Sequence, residues 1–370
     1  MQAVRETIYS FKAKWFDNHA QLHRQFHVRY FADSHNVEIF DTKTNKLFLK
    51  KSECPPTISA RDFYLGAKVM LYGRHFELMD YVDPFTAEKL GKQQQKTMLV
   101  VKRDMVRHVG TILDLLLRQQ FNLSALKMMQ VSRGAAEKFI EFHQRTPDFH
   151  AQVDLLASRP IVVLELVSEN CIDKLKHFAA TTLTPRLNAK PGEIEAAPSL
   201  LEAQRQREFF LETQQGTTAN FQNCTCCVIL PHIVKEGLAG EVIEAIQQAP
   251  SVQITAMELF NLDRTTASEF LEVYEGVVPH FNETVDHFTT GPCIAMELSG
   301  TNAESVVGRF RDHAGPWDVE MAKELQPQTI RARYGIDRVR NAVHCTDLPE
   351  DGTLECEYFF EILSKRQLKG

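Results

Sequence analysis

A histidine with polar and charged neighbours stands in the octet Arg340-Asn341-Ala342-Val343-His344-Cys345-Thr346-Asp347. Imidazole titrates near neutrality, so this residue can serve as acid, base or nucleophile. Upstream, Thr329-Ile330-Arg331 offers a cation able to hold a phosphate. Downstream, Tyr358-Phe359-Phe360 reads as a final strand-like run, which puts His344 in a polar turn ahead of it. Alone, such a residue reads as a surface histidine. In this company a chemical role as acid, base or nucleophile gains weight.

The elements that must position it belong to a long chain. At 370 residues there is room for about two or three domains. A composition of 44% hydrophobic and 24% charged residues is that of a folded globular protein. A formal charge of −6 gives no whole-chain bias toward nucleic acid or acidic membranes, and neither is expected as a partner. No apolar run approaches about 18 residues, so no membrane-spanning helix is expected. The opening Met1-Gln2-Ala3-Val4-Arg5-Glu6 lacks the apolar stretch of a secretory signal. Eight cysteines form no paired C-x-x-C set. The run Cys224-Thr225-Cys226-Cys227-Val228-Ile229-Leu230 reads as a buried strand in which cysteine acts as a small apolar residue, so no metal site is expected. Neither a Walker A loop nor a G-x-G-x-x-G turn is present, so any nucleotide must be held another way.

One pattern occurs twice. Thr97-Met98-Leu99-Val100-Val101-Lys102-Arg103-Asp104 parallels Thr225-Cys226-Cys227-Val228-Ile229-Leu230-Pro231-His232. Ser158-Arg159-Pro160-Ile161-Val162-Val163-Leu164-Glu165-Leu166 parallels Thr290-Gly291-Pro292-Cys293-Ile294-Ala295-Met296-Glu297-Leu298. The offset is domain-sized, far longer than a solenoid repeat. Each copy alternates strand-like and helix-like patterns. The first has helices at 112–117 and 135–143 and strands at 123–129 and 161–166. The second has helices at 242–246 and near 270–274 and a strand at 252–260. Such alternation argues α/β or α+β layering. Residues 1–90 differ. Short runs at 37–40, 47–49, 68–72 and 76–82 point to a small β-rich domain, with a hairpin loop at 41–46 and Trp15-Phe16 as core. Residues 91–96 form a polar linker. A connector over 183–221 carries Ser199-Leu200-Leu201-Glu202, a start signal for a helix.

On these motifs the two copies resemble the nucleoside diphosphate kinase family, whose hallmark is an N-x-x-H-G-S-D-type turn. Here Asn341-Ala342-Val343-His344-Cys345-Thr346-Asp347 stands in that place, with the Gly291-Pro292 strand, Thr329-Ile330-Arg331 and the closing 355–360 segment following in order. The β-rich region ahead of them is similar to pleckstrin-like modules found in tandem in EF-hand proteins of the ciliary axoneme. The resemblance implies an α+β fold: a pleckstrin-like β-rich domain at 1–90, a degenerate ferredoxin-like kinase domain at 97–182 with connector 183–221, and a second at 222–364 that retains the histidine. It implies His344 as phosphohistidine nucleophile, Glu355 as its orienting carboxylate, Arg311 and Arg331 on phosphates and Asn341 on the nucleotide. It also implies Mg²⁺ with ATP or a nucleoside diphosphate if the site is active.

The family pattern is broken in both copies. The family's phosphate-contacting lysine is Leu230 in copy two, which cannot donate to a phosphate oxygen. The nucleotide-side tyrosine aligns best with Leu271, with Tyr274 one turn on, and the phosphate-side threonine falls at Trp317. Copy one keeps Lys102 but has no N-x-x-H turn and no histidine between His177 and His232. Lys102 could serve His344 only if the two sites meet. The resemblance therefore implies a structural component of the cilium or flagellum axoneme, bound to tubulin of the doublet microtubule and to other axonemal proteins, its kinase folds kept as architecture. The alternative is a weak nucleoside diphosphate kinase working through His344.

Overall fold

The structure is a computed structural model that describes residues 6–17, 20, 22–91, 95–141, 148–213, 216–300 and 305–367. Residues 1–5 and the 92–94 part of the polar linker lie outside these. Two antiparallel sheets organise the chain. The first contains β1 (Ile8–Asp17), β2 (Leu22–Phe31), β3 (Asn36–Asp41), β4 (Lys46–Glu53), β5 (Lys68–Leu71) and β6 (Arg74–Tyr81), in spatial order β4-β3-β2-β1-β6-β5. In the β3–β4 turn the Asp41 carboxylate accepts the amides of Lys43 and Thr44, and Asn45 takes φ +54. This is the local chemistry by which Asp and Asn favour turns. Phe11, Phe26, Phe63 and Phe76 fill the core. The helix Pro84–Gly91 closes one end with Leu90, while the Thr86 hydroxyl accepts the Ser10 amide. Strand alternation corrects one expectation: Trp15 points toward the core, and Phe16, next along β1, faces out, 40% exposed. Sequence patterning also missed β1 and β2. Their outward residues, such as Lys12, Arg24 and Arg29, break up the apolar pattern.

The second sheet joins the two copies. It contains β7 (Gln95–Val101), β8 (Asn122–Met129), β9 (Ile161–Ser168), β10 (Ile194–Ala196), β11 (Cys224–Ile229), β12 (Val252–Phe260), β13 (Cys293–Gly300) and β14 (Val343–Cys345). Their order is β10-β7-β9-β8-β12-β13-β11-β14, so each copy is a four-stranded ferredoxin-like unit and the second mirrors the first across the β8–β12 junction. The fold is thus α+β. Copy one does not end at 182. Both β10 and the helix Leu200–Arg207, in the stretch read as a connector, complete its sheet and core. Ser199 caps that helix by accepting the Glu202 amide.

The junction explains why the copies pair internally. The amphipathic helices Val109–Arg118 and Ala239–Gln247 cross it, burying Ile112, Leu113 and Leu116 against Val242, Ile243 and Ile246. Gly110 and Gly240 permit the close approach, since a Cβ on Gly240 would collide with the Asp114 backbone. In the strands, Lys127 and Glu258 face each other, both 8% exposed, with Nζ 2.9 Å from Oε1; the Ser364 hydroxyl bonds both side chains.

Two expectations for copy two are corrected. Residues 358–360 are helical: the helix Asp351–Glu357 continues through the wide turns of Tyr358–Leu363, burying Phe359, Phe360 and Leu363 on one face. An aromatic run on a helical face mimics a strand in sequence. The main helix expected near 270–274 is Arg264–Phe270, started by the reciprocal Asp263–Thr266 cap. Only a single turn, Glu272–Tyr274, follows it.

Candidate active site

The histidine lies on a strand, not in a surface turn. It is carried by β14, the outermost strand of copy two, where it pairs with Val228 of β11 and is 3% exposed. Its Nε2 lies 3.0 Å from Glu355 Oε2, which also accepts the Thr346 hydroxyl at 2.8 Å. The Thr346 oxygen in turn accepts the Cys226 amide at 2.9 Å, so β11 fixes the group that fixes Glu355. A carboxylate at Nε2 holds the ring proton there and leaves the lone pair on Nδ1. That Nδ1 is buried and has no hydrogen-bond partner among the described residues. The Phe270 and Tyr274 rings stand edge-on to the imidazole at 4.9 and 5.8 Å, and Tyr274 Oη is 3.5 Å from Glu355 Oε1. Burial, with the Glu355 and Asp347 charges behind it, pushes the Tyr274 phenol far above its ordinary range, so it stays a neutral donor. Tyr274, not Leu271, is therefore the tyrosine at the site; Leu271 is core. Just before the strand, Ala342 takes φ +76, a left-handed conformation costing an L-residue about 1–2 kcal/mol, held in place by the Leu230 amide at 3.0 Å from its carbonyl.

The cations are distributed unevenly. Arg331 is buried. Its Nε and Nη2 donate to Val343 O at 3.2 and 3.1 Å, its Nη1 to Gly315 O at 2.8 Å, and its guanidinium packs 5.4 Å from the Trp317 ring centre. In this geometry Arg331 ties the histidine strand to the Gly315 loop. Arg311 is half exposed. Its Nη1 donates to Asp347 O at 2.9 Å and its Nη2 lies 3.4 Å from Asp347 Oδ1, three residues past His344. Asn341 is buried at the entry to β14. Leu230 follows β11 directly as a core residue and brings no side-chain donor. His232 is buried in Pro231–Lys235 with Nδ1 3.0 Å from His287 Nε2. Burial lowers these imidazoles to about 3 and about 4 respectively, so both are neutral near pH 7.

Copy one has rebuilt the same place. Glu195 pairs with Val100 on β7 as His344 pairs with Val228 on β11. The Lys102 amide reaches Glu193 O as the Leu230 amide reaches Ala342 O. Glu195 thus occupies the histidine's register, and its Oε2 lies 2.5 Å from Nζ of the retained Lys102. Between β9 and β10 copy one has only residues 169–193, without counterparts of the helices Val319–Leu325 and Ile330–Tyr334 that carry copy two's Arg331. Lys102 and His344 stand toward opposite ends of the eight-stranded sheet, so the lysine cannot complete the other site. Sequence reasoning missed Glu195. The echo of Phe359-Phe360 in Phe209-Phe210 could have located it, by placing a short strand ahead of each aromatic pair.

Comparison with known proteins agrees with this arrangement. The nucleoside diphosphate kinase family model matches residues 95–204 and 223–363, and the DM10 domain model matches 1–86. Nucleoside diphosphate kinase homolog 7 of Rattus norvegicus is 36% identical over 96% of this chain and 93% of its own length, and the Mus musculus protein of that name is 35% identical over the same shares. The nucleoside diphosphate kinase of Aquifex aeolicus is 32% identical over 37% of this chain and 92% of its own length.

Proposed function

The chain belongs to the nucleoside diphosphate kinase family, with a DM10 domain ahead of its two kinase-like copies, and from that premise we propose that it is a structural component of the ciliary axoneme, associated with doublet microtubules. The observation that carries this reading is that both kinase cores are fully packed while neither phosphate site is whole. Copy one has Glu195 where the histidine belongs, neutralising Lys102. Copy two has the histidine but Leu230 where the lysine belongs. Selection for architecture keeps cores and releases sites. Tubulin and other axonemal proteins are the proposed partners, on the resemblance of the β-rich domain to axonemal modules. The test is co-sedimentation of the full chain with microtubules together with its localisation in ciliated cells. Absence from axonemes and no sedimentation above the tubulin-free control would overturn the proposal.

A second reading is favoured by one observation, the His344–Glu355 pair with a bare Nδ1. Under it, copy two moves a γ-phosphate from a nucleoside triphosphate to a diphosphate through His344, slowly. Mg²⁺ bound with the nucleotide would supply charge neutralisation on its phosphates. Under this reading Arg311 and Asn341 would meet the nucleotide, and Arg331 would do so only by releasing a carbonyl. With γ-labelled ATP and Mg²⁺, acid-labile label on the native protein but not on His344→Ala supports this reading. No label on well-folded native protein rules it out.

A further inference from the structure

The two copies treat one buried glutamate in different ways. Glu165 on β9 and Glu297 on β13 are register equivalents: Ala125 pairs with the first as Ala256 pairs with the second, and Ser124 and Thr255 donate to them in turn. In copy one the carboxylate is neutralised by Lys96 Nζ at 3.0 Å and Arg207 Nε at 2.8 Å. In copy two Glu297 is 0% exposed and accepts the Asn220 and Phe221 amides at 2.7 and 2.9 Å and the Thr255 hydroxyl at 2.6 Å. Among the described residues no cationic side chain pairs with it. The position of Lys96 is taken by Cys224: Lys96 pairs with Val167 as Cys224 pairs with Ser299. From the helix side, Asp351–Glu357 has Glu357 at the place of Arg207 and presents Cys356, one residue earlier, at the place of Gln206. The copy that lost both cations has gained two thiols at the same carboxylate.

Those three groups converge. Cys224 Sγ, Cys356 Sγ and a Glu297 oxygen lie within 4.8 Å of one another. Tetrahedral zinc holds sulfur at about 2.3 Å, which sets neighbouring ligands roughly 3.8 Å apart, so a small contraction closes the site. Cys226 lies on the same face of β11 and is buried beside them. We propose that Cys224, Cys356 and Glu297 form a binding site for one soft divalent cation of the zinc class, which sets a cation against the carboxylate where copy one sets Lys96 and Arg207. Thiolate ligation selects such ions over Mg²⁺ or Ca²⁺, and each thiol that ligates releases its proton to solvent. The ion would clamp β11, β13 and the helix Asp351–Glu357 together. Cys356 adjoins Glu355, so the clamp also holds the carboxylate that orients His344. This goes beyond the expectation that the cysteine-rich strand is merely apolar.

The test uses the full chain, purified reduced and metal-free, titrated with Co²⁺ and then Zn²⁺. The expected result is one Co²⁺ per chain, with intense sulfur-to-cobalt charge-transfer absorption and a tetrahedral visible spectrum, displaced by Zn²⁺ with a rise in Tm. Cys356→Val should lose that spectrum, while Cys54→Ala, in the first sheet, should keep it. No charge-transfer band from the native protein overturns the proposal whether or not Cys356→Val folds. Retention of the band in folded Cys356→Val overturns it equally.

Discussion

Replacing Leu230 by lysine tests whether the missing ammonium is what limits copy two. The chain itself shows that lysine fits this register. Lys102, at the same point after β7, is 7% exposed, with its stem in the core and its Nζ 2.5 Å from the residue that replaces the histidine. Leu230 is 2% exposed, and its amide is bound to the Ala342 carbonyl two residues before His344. A lysine following the path of Lys102 therefore brings its ammonium to the His344 imidazole, where a transferring phosphate must sit. One charge-assisted hydrogen bond contributes about 1.5–3 kcal/mol, which is roughly a 10- to 150-fold gain in rate if realised in the transition state. Without a glutamate like Glu195 beside it, the new ammonium is poorly compensated, so Leu230→Lys should melt below the native protein and recover with nucleotide. The assay is the rate of acid-labile labelling from γ-labelled ATP in the native protein, in Leu230→Lys and in Leu230→Lys/His344→Ala. The single variant should label fastest and the double variant not at all. Unchanged labelling in a Leu230→Lys protein that melts cooperatively would refute the assignment of Leu230 as the defect.

Three further outcomes follow from the same geometry. Lys127→Met strands the Glu258 carboxylate at the junction, and loss of one partner of a buried pair costs about 3–5 kcal/mol, or roughly 6–10 °C in Tm at about 2 °C per kcal/mol for a unit of this size. Burial already holds the Glu258 carboxyl above its ordinary range, so the folded form binds its proton more tightly than the unfolded chain does. That preference favours the fold at low pH and is lost as pH rises through the folded carboxyl's range, so the Lys127→Met deficit in thermal melts should be largest near pH 8 and shrink toward pH 5. An equal deficit at both would contradict it. Thr346→Val removes a buried hydroxyl that serves Glu355 and Cys226, and should cost about 1–3 kcal/mol in urea unfolding; a neutral result would mean the Glu355 shell is not held from β11. Glu195→His in a His344→Ala background should stay unlabelled by γ-labelled ATP, because copy one lacks the segment that carries Arg331. Acid-labile label there would show that lysine and histidine suffice.

The local chemistry of this chain was legible in its sequence. The repeat, the buried cysteine strand, the capped helix after Ser199 and the hairpin at Asp41 all rest on neighbours in the chain or on periodicity, which one-dimensional patterns record, whereas the pairing of His344 with Glu355 was implied by the family resemblance alone. Leu230 for lysine and the missing histidine of copy one are likewise substitutions that can be read directly. What only the tertiary structure decided depends on groups far apart in the chain. The 358–360 run packs as a helix because its aromatic side chains fill a core built by β12 and the Arg264–Phe270 helix, a preference no window around them contains. Tyr274 rather than Leu271 meets His344 because the helix ends at Phe270 and a single tight turn re-aims the chain. Glu195 is recognisable as the histidine's replacement only from strand register, and Lys127 and Glu258 as partners only once the copies are seen to share one sheet. Register and pairing are set by long-range burial, whose energy depends on which surfaces meet rather than on which residues are adjacent.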